Sequence, residues 1–304
     1  MQAAVFPGQG SQRPGMGKEI YSRFPAARKV FDTAEEIASF PLKKICFEDR
    51  EGAINQTQYT QPALFVSSLA TLAAIGDVVR FDAVAGHSLG EYTALVAAGI
   101  ISFEDGMYAV LRRGELMSRS SETPGGMVAV IGLNEEEIED TIFPLKLKGI
   151  INIANYNSPR QIVISGELEL IKEAQELLSP KARKLIPLAV SGAFHTKLMS
   201  RAAKEMSKVL KPIRFKKPKV AYFSNVSGKK EDDPKRIKEL MRKQIESPVR
   251  WVQLVESMVE YGINRFIEVG EGRVLTGLIK RITKDAELVN INSVGSVESF
   301  CKEE

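Results

Sequence analysis

The pentapeptide Gly86-His87-Ser88-Leu89-Gly90 constrains this chain more than any other stretch. It follows the short apolar run Ala83-Val84-Ala85. It precedes a segment, from Glu91 to Ala98, in which Tyr92, Leu95, Val96 and Ala98 recur at helical spacing before Gly99 stops it. A strand that must become a helix within five residues has few ways to turn. Glycines two positions before and two positions after a serine permit a sharp turn at the end of a parallel strand, with the hydroxyl standing at the sheet edge. The pattern predicts an α/β protein with a parallel sheet. The turn also aims the Leu89 amide and the start of the following helix at any negative charge that develops beside the hydroxyl.

A serine hydroxyl is a poor nucleophile until a base removes its proton. Only two histidines occur in the 304 residues. His87 is adjacent to Ser88, on the wrong side of a tight turn. His195, in Gly192-Ala193-Phe194-His195, is therefore the candidate base, and Ser88 with His195 the candidate pair. The two cysteines, Cys46 and Cys301, are far apart and lack metal-ligand spacing, so no metal centre is expected and a reducing, cytoplasmic setting is. A formal net charge of +4 falls short of a nucleic-acid-binding signature. No apolar run approaches the length of a membrane span, and the start lacks the charged region of a signal peptide.

The strand–helix alternation places Ala3–Phe6 as a buried strand running into the glycine-rich loop 7–17, and Gln61-Pro62-Ala63 at the opening of a helix. From about Pro124 the texture changes. Met127–Ile131, Ile150–Ala154, Gln161–Ser165 and Arg183–Leu188 read as strands. Helices are expected after Asn134, which forms a capping-box pattern with Glu137, and over Glu167–Leu178. That order, β-α-β-β-α-β, is the ferredoxin-like split unit. The expectation is a large α/β-hydrolase-like domain with a parallel sheet, formed by 1–121 and 197–304, carrying an inserted ferredoxin-like domain over 122–196.

Two further elements suggest chemistry. The loop after the first strand lacks both nucleotide-binding fingerprints, because no Gly-Lys-Ser/Thr ending follows and Arg13 breaks a would-be G-x-G-x-x-G. A backbone donor at Gln9, beside that of Leu89, and a plain surface loop are the readings left. In the helical stretch 105–119, Arg112 falls on the polar face and Arg113 at the edge of the apolar one. A guanidinium turned inward needs an anion, either a structural carboxylate or a substrate's.

Taken together, Gly8-Gln9-Gly10-Ser11-Gln12, Thr60-Gln61-Pro62-Ala63-Leu64, Gly86-His87-Ser88-Leu89-Gly90-Glu91-Tyr92, Arg113-Gly114, Asn155-Tyr156-Asn157-Ser158-Pro159, Ala193-Phe194-His195, Ser247-Pro248-Val249-Arg250-Trp251 and Glu268-Val269-Gly270 resemble, over essentially the whole chain, the malonyl-CoA:acyl-carrier-protein transacylases of type II fatty acid synthesis and the related acyltransferase domains of polyketide synthases. The resemblance implies ping-pong transfer through a malonyl ester of Ser88, with His195 as base. It further implies an oxyanion hole of the Gln9 and Leu89 amides, Arg113 on the malonyl carboxylate and Gln61 in the pocket. A main-chain carbonyl at Arg250, within Val249-Arg250-Trp251, would orient the imidazole. The coenzyme A thioester enters as substrate, with no cofactor, and the partner is an acidic acyl carrier protein. A monomer is expected. Phe194 before His195 matches the malonyl-selective pattern. Arg183, Lys184, Lys280 and Arg281, or the lysines between 208 and 219, are candidate steering charges for the carrier. The competing readings are a serine hydrolase with the same elbow and a non-catalytic carrier-binding module. Arg113 argues against the first and the complete residue set against the second.

Overall fold

The computed structural model describes residues 1–76, 80–119, 124–190 and 192–303. Two sheets organise the chain. The larger is built from β1 (Gln2–Phe6), β2 (Ala83–Gly86), β7 (Ala221–Phe223), β8 (Lys230–Glu231), β9 (Arg265–Val269) and β10 (Glu287–Ile291), in the order β10-β9-β1-β2-β7-β8. Every neighbouring pair is parallel except the β7–β8 edge hairpin. The smaller holds β3 (Gly125–Ile131), β4 (Ile151–Ser158), β5 (Gln161–Glu167) and β6 (Lys184–Pro187), all antiparallel, in the order β4-β5-β3-β6. With its two helices, Glu135–Lys146 and Leu168–Leu178, that is the ferredoxin-like arrangement the sequence order predicts. The expected junction at 121/122 lies outside the described residues.

β1 lies in the middle of the large sheet, and Ala3, Ala4, Val5 and Phe6 are all fully buried, as a strand covered on both faces requires. Its register with β2 pairs Phe6 with Gly86, so the glycine loop and the serine turn leave the sheet side by side. Their closeness dictates the glycines. A Cβ on Gly90 would sit 2.1 Å from the Phe6 carbonyl oxygen, and one on Gly86 2.0 Å from the backbone of Gly90.

The helix expected to open at Gln61-Pro62 begins earlier, as Thr57–Ile75, and Pro62 lies inside it. Fourteen of its residues are buried, so it has no polar face to supply a periodic signal, and the proline marks only a missing donor to Gln58. The capping box expected at Asn134 is present. Asn134 and Glu137 cap each other's backbone, and Asp233 caps the helix Pro234–Lys243 with Pro234 in its first turn. Among the described residues no helix is long and apolar enough to cross a membrane, and no group of His, Cys, Asp and Glu has the makings of a metal site.

The sheets meet beside the serine turn. Val249 bridges in parallel to β4, accepting from the Tyr156 amide at 2.9 Å and donating to Ala154 at 2.8 Å. His87 Nε2 lies 2.7 Å from Asn157 Oδ1. The chain segment 244–251 is thereby pinned between the two lobes.

Candidate active site

Ser88 stands between β2 and the helix Gly90–Ala97 with φ 51°, a left-handed backbone that costs a non-glycine residue about 1–3 kcal/mol. His195 has φ 62°, and among the described residues Asp49 is the only other non-glycine residue with positive φ. Two strained residues of this kind facing each other mark a built site. Ser88 Oγ is 2.8 Å from His195 Nε2. On the far side of the ring, Nδ1 lies 2.9 Å from the Ser247 carbonyl and 3.1 Å from the Gln244 carbonyl. A carbonyl only accepts, so the proton resides on Nδ1 and the Nε2 lone pair faces the serine hydroxyl.

These carbonyls correct one expectation. Arg250 was expected to orient the imidazole, yet its carbonyl receives the Leu254 amide at the start of the helix Trp251–Glu260. A helix start consumes its own carbonyls, whereas the turn upstream aims two at His195: that of Ser247, and that of Gln244, which also accepts the Ser247 amide at 3.3 Å.

Arg113, on the helix Phe103–Arg119, is 1% exposed, while Arg112 is at the surface paired with Glu115. The Arg113 guanidinium donates to Gln61 Oε1 (2.7 Å), to Gln244 Oε1 (3.0 Å from Nη2) and to Ser88 Oγ (3.1 Å). Among the described residues no carboxylate forms an ion pair with it. The closest approach to one is relayed: the Gln244 side chain accepts from Arg113 and donates to Glu91 Oε2 at 2.7 Å. A buried cation with neutral hydrogen-bond partners is a ready anchor for an incoming anion.

The cleft over these groups is lined by Gln9, Gln61, Leu89, Met117, Phe194 and Leu188, with Ser88, Arg113 and His195 at its floor. Among the described residues neither the Gln9 nor the Leu89 amide has an acceptor, and both residues border the cleft. Gln9 is held through its side chain by Thr57 Oγ1 at 3.2 Å. Burial, reinforced by the Arg113 charge, pushes the His195 pKa down to about 3 against the pull of the two carbonyls. Burial likewise raises the Glu91 carboxyl, opposed by hydrogen bonds from Tyr222, Gln244 and Asn225.

Five of the candidate steering residues, Arg183, Lys184, Arg281, Lys216 and Lys219, lie elsewhere. Arg183 and Lys184 pair with Ile131 at the end of β6 remote from the cleft, about 13 Å from the lining residue Leu188 at strand rise. Arg281 is at that same remote end, on Gln161. In the lysine cluster, Lys216 and Lys219 attach to Ile100 and Ala98, beyond the far end of the helix that starts at the serine turn. Gln244, Asn225 and Glu91 were absent from the sequence reading as site residues. The signals were the place of Glu91 near the end of the serine motif and that of Gln244, three residues before Ser247-Pro248.

The chain matches the family model described as "Acyl transferase domain" over residues 4–299. It is 39% identical over 300 residues to a malonyl CoA-acyl carrier protein transacylase of Bacillus subtilis, covering 97% of this chain and 95% of that one. It is 43% identical over 287 residues to a polyketide biosynthesis malonyl CoA-acyl carrier protein transacylase of the same organism, covering 93% and 97%. Among solved structures, a malonyl-transacylase in complex with a holo type II polyketide acyl carrier protein superposes with a TM-score of 0.95 at 36% identity, covering 100% of this chain and 99% of that one.

Proposed function

We propose a ping-pong route from the premise that this chain belongs to the acyl transferase family, among the malonyl-CoA:acyl-carrier-protein transacylases and their polyketide-synthase relatives. It is a malonyl-CoA:acyl-carrier-protein S-malonyltransferase, moving malonyl from coenzyme A to acyl carrier protein. In the route proposed, malonyl-CoA enters with its carboxylate on Arg113, where a bidentate grip on Nη1 and Nη2 replaces the contact to Ser88. Ser88 Oγ attacks the thioester carbonyl as His195 Nε2 takes its proton. The oxyanion forms against the Gln9 and Leu89 amides. Collapse expels the coenzyme A thiolate, which receives the proton from His195, and leaves a malonyl-serine ester. The phosphopantetheine thiol of the carrier then repeats the steps in reverse order, with His195 again shuttling the proton.

The observation that carries this reading is the convergence on one oxygen. Ser88 Oγ is 2.8 Å from the imidazole and 3.1 Å from a buried guanidinium. A hydrolase of fatty esters has no use for that cation. The test is intact-mass spectrometry after exposure to malonyl-CoA, followed by addition of holo carrier protein. The expected result is a gain of one malonyl group that persists in buffer and moves to the carrier when the carrier is added. Decay to free malonate at the same rate with and without carrier would make the protein a hydrolase.

The acid side of the pH profile gives a second check. The folded-state pKa of His195 lies below the ordinary imidazole value of about 6.5, so the base stays unprotonated well into the acid range. For stability the sign is the same: the neutral buried ring contributes fully above about pH 6.5, and that contribution is lost as pH falls towards 3. The expected kcat/KM for malonyl-CoA is flat from about pH 7.5 down to about 5.5. A tenfold fall per unit below about 6.5 would show an ordinary imidazole and contradict the burial argument.

A further inference from the structure

Ser88 is held in a backbone conformation it would not choose, gripped by two side-chain amides: Gln244 Nε2 donates to its carbonyl at 2.7 Å, and Asn225 takes its amide. Asn225, fully buried just after β7, spans the turn. Its Nδ2 donates to the Gly86 carbonyl at 2.7 Å, and its Oδ1 accepts the Ser88 amide at 2.7 Å. The two peptide groups flanking His87 are thus satisfied by a single amide, in the way a neighbouring strand would satisfy them. Asn225 is itself fixed at both ends of its own backbone. Its N–H donates to Glu91 Oε1 at 2.9 Å, and its carbonyl accepts the Arg250 amide at 3.0 Å. Through that last bond it joins the serine turn to the segment whose Ser247 carbonyl orients His195.

We propose that Asn225 is a positioning residue for the acyl transfer, fixing the strained Ser88 backbone and aligning the nucleophile's turn with the loop that orients the base. The assignment rests on the ping-pong reading above. The side chain must donate and accept at once over a fixed span, which an amide does and a carboxylate does not. Aspartate keeps the bond from the Ser88 amide but sets an acceptor against the Gly86 carbonyl. Glutamine is one methylene too long for a closed site. The hydrogen bonds of the Asn225 side chain go to Gly86 and Ser88 and not to Arg113 or Gln61, so its loss acts on the chemical step and leaves the carboxylate anchor intact.

The experiment is single-turnover acylation by malonyl-CoA for the wild-type chain, the near-isosteric Asn225→Asp and Asn225→Ala, with rate measured across malonyl-CoA concentration and melting temperature recorded alongside. For folded variants the expected saturating rate is lower by about a hundredfold, the scale of a nucleophile displaced by about an ångström, while the half-saturating concentration stays within about threefold. A saturating rate within about threefold of wild type overturns the assignment, as does a loss confined to half-saturation. Failure of both variants to fold overturns it as well, because Asn225 would then be a residue of the core. Absence of a malonyl adduct on the wild-type chain would instead strike at the ping-pong reading itself.

Discussion

A Ser88→Ala chain is expected to fold, bind malonyl-CoA and take up no malonyl group. The substitution removes the oxygen that His195 Nε2 and Arg113 Nη2 share, which among the described residues is the only one that both contact. Alanine accepts the same left-handed backbone at a strain similar to that of serine, so the Asn225 clamp keeps the turn in place. Loss of a covalent nucleophile costs at least about 10⁴-fold in turnover. The check is intact mass and peptide mapping after exposure to malonyl-CoA. A malonyl adduct on any other side chain, or transfer to carrier protein within a factor of about ten of the wild type, would remove Ser88 from the mechanism.

Arg113→Ala is expected to separate malonyl from acetyl use. Only malonyl presents a carboxylate to the buried guanidinium. Truncating one partner of a buried, hydrogen-bonded charge pair costs about 3–4 kcal/mol, a several-hundredfold fall in kcat/KM for malonyl-CoA. Part of any loss will be common to both acyl groups, because Arg113 also braces Gln244, whose carbonyl faces the imidazole. Arg113→Met, which fills more of the vacated space, should reduce that common part. For acetyl-CoA the expected fall is at most about tenfold, since the shared contacts are single neutral-acceptor hydrogen bonds. Parallel losses for the two donors in both variants would mean that Arg113 serves the architecture of the site and does not read the acyl group.

The features that could be read from the chain were those whose causes are local. The serine turn is a strand, two glycines and a helix within a dozen residues, and Gly86 answers a contact with the backbone of Gly90 four residues on. His195 followed from scarcity, since a chain with two histidines offers little choice. The small sheet declared itself through the order of its strands and the Asn134 cap. Arg113 was legible only as a cation at the edge of an apolar face, and the anion it awaits came from resemblance. What stayed hidden had no local cause. The helix Thr57–Ile75 is buried on every side, so its start carried no period to read. Asn225 and Gln244 reach Glu91 and Ser88 across 134 to 156 residues of sequence, and each looks like an ordinary polar residue until the sheet brings them together. The carbonyls behind His195 were misassigned to Arg250 because a main-chain oxygen has no residue type to betray it.

The same two carbonyls bear on how such a protein can change over generations. Where an aspartate steadies an imidazole, one altered codon deletes the support. Here the support is the peptide unit, present whatever residues occupy 244 and 247, and only a shift in the path of the loop removes it. Drift at those positions is therefore filtered through the Gln244 amide and its contacts to Ser88, Arg113 and Glu91, while the alignment of the base itself is carried by atoms that every amino acid supplies.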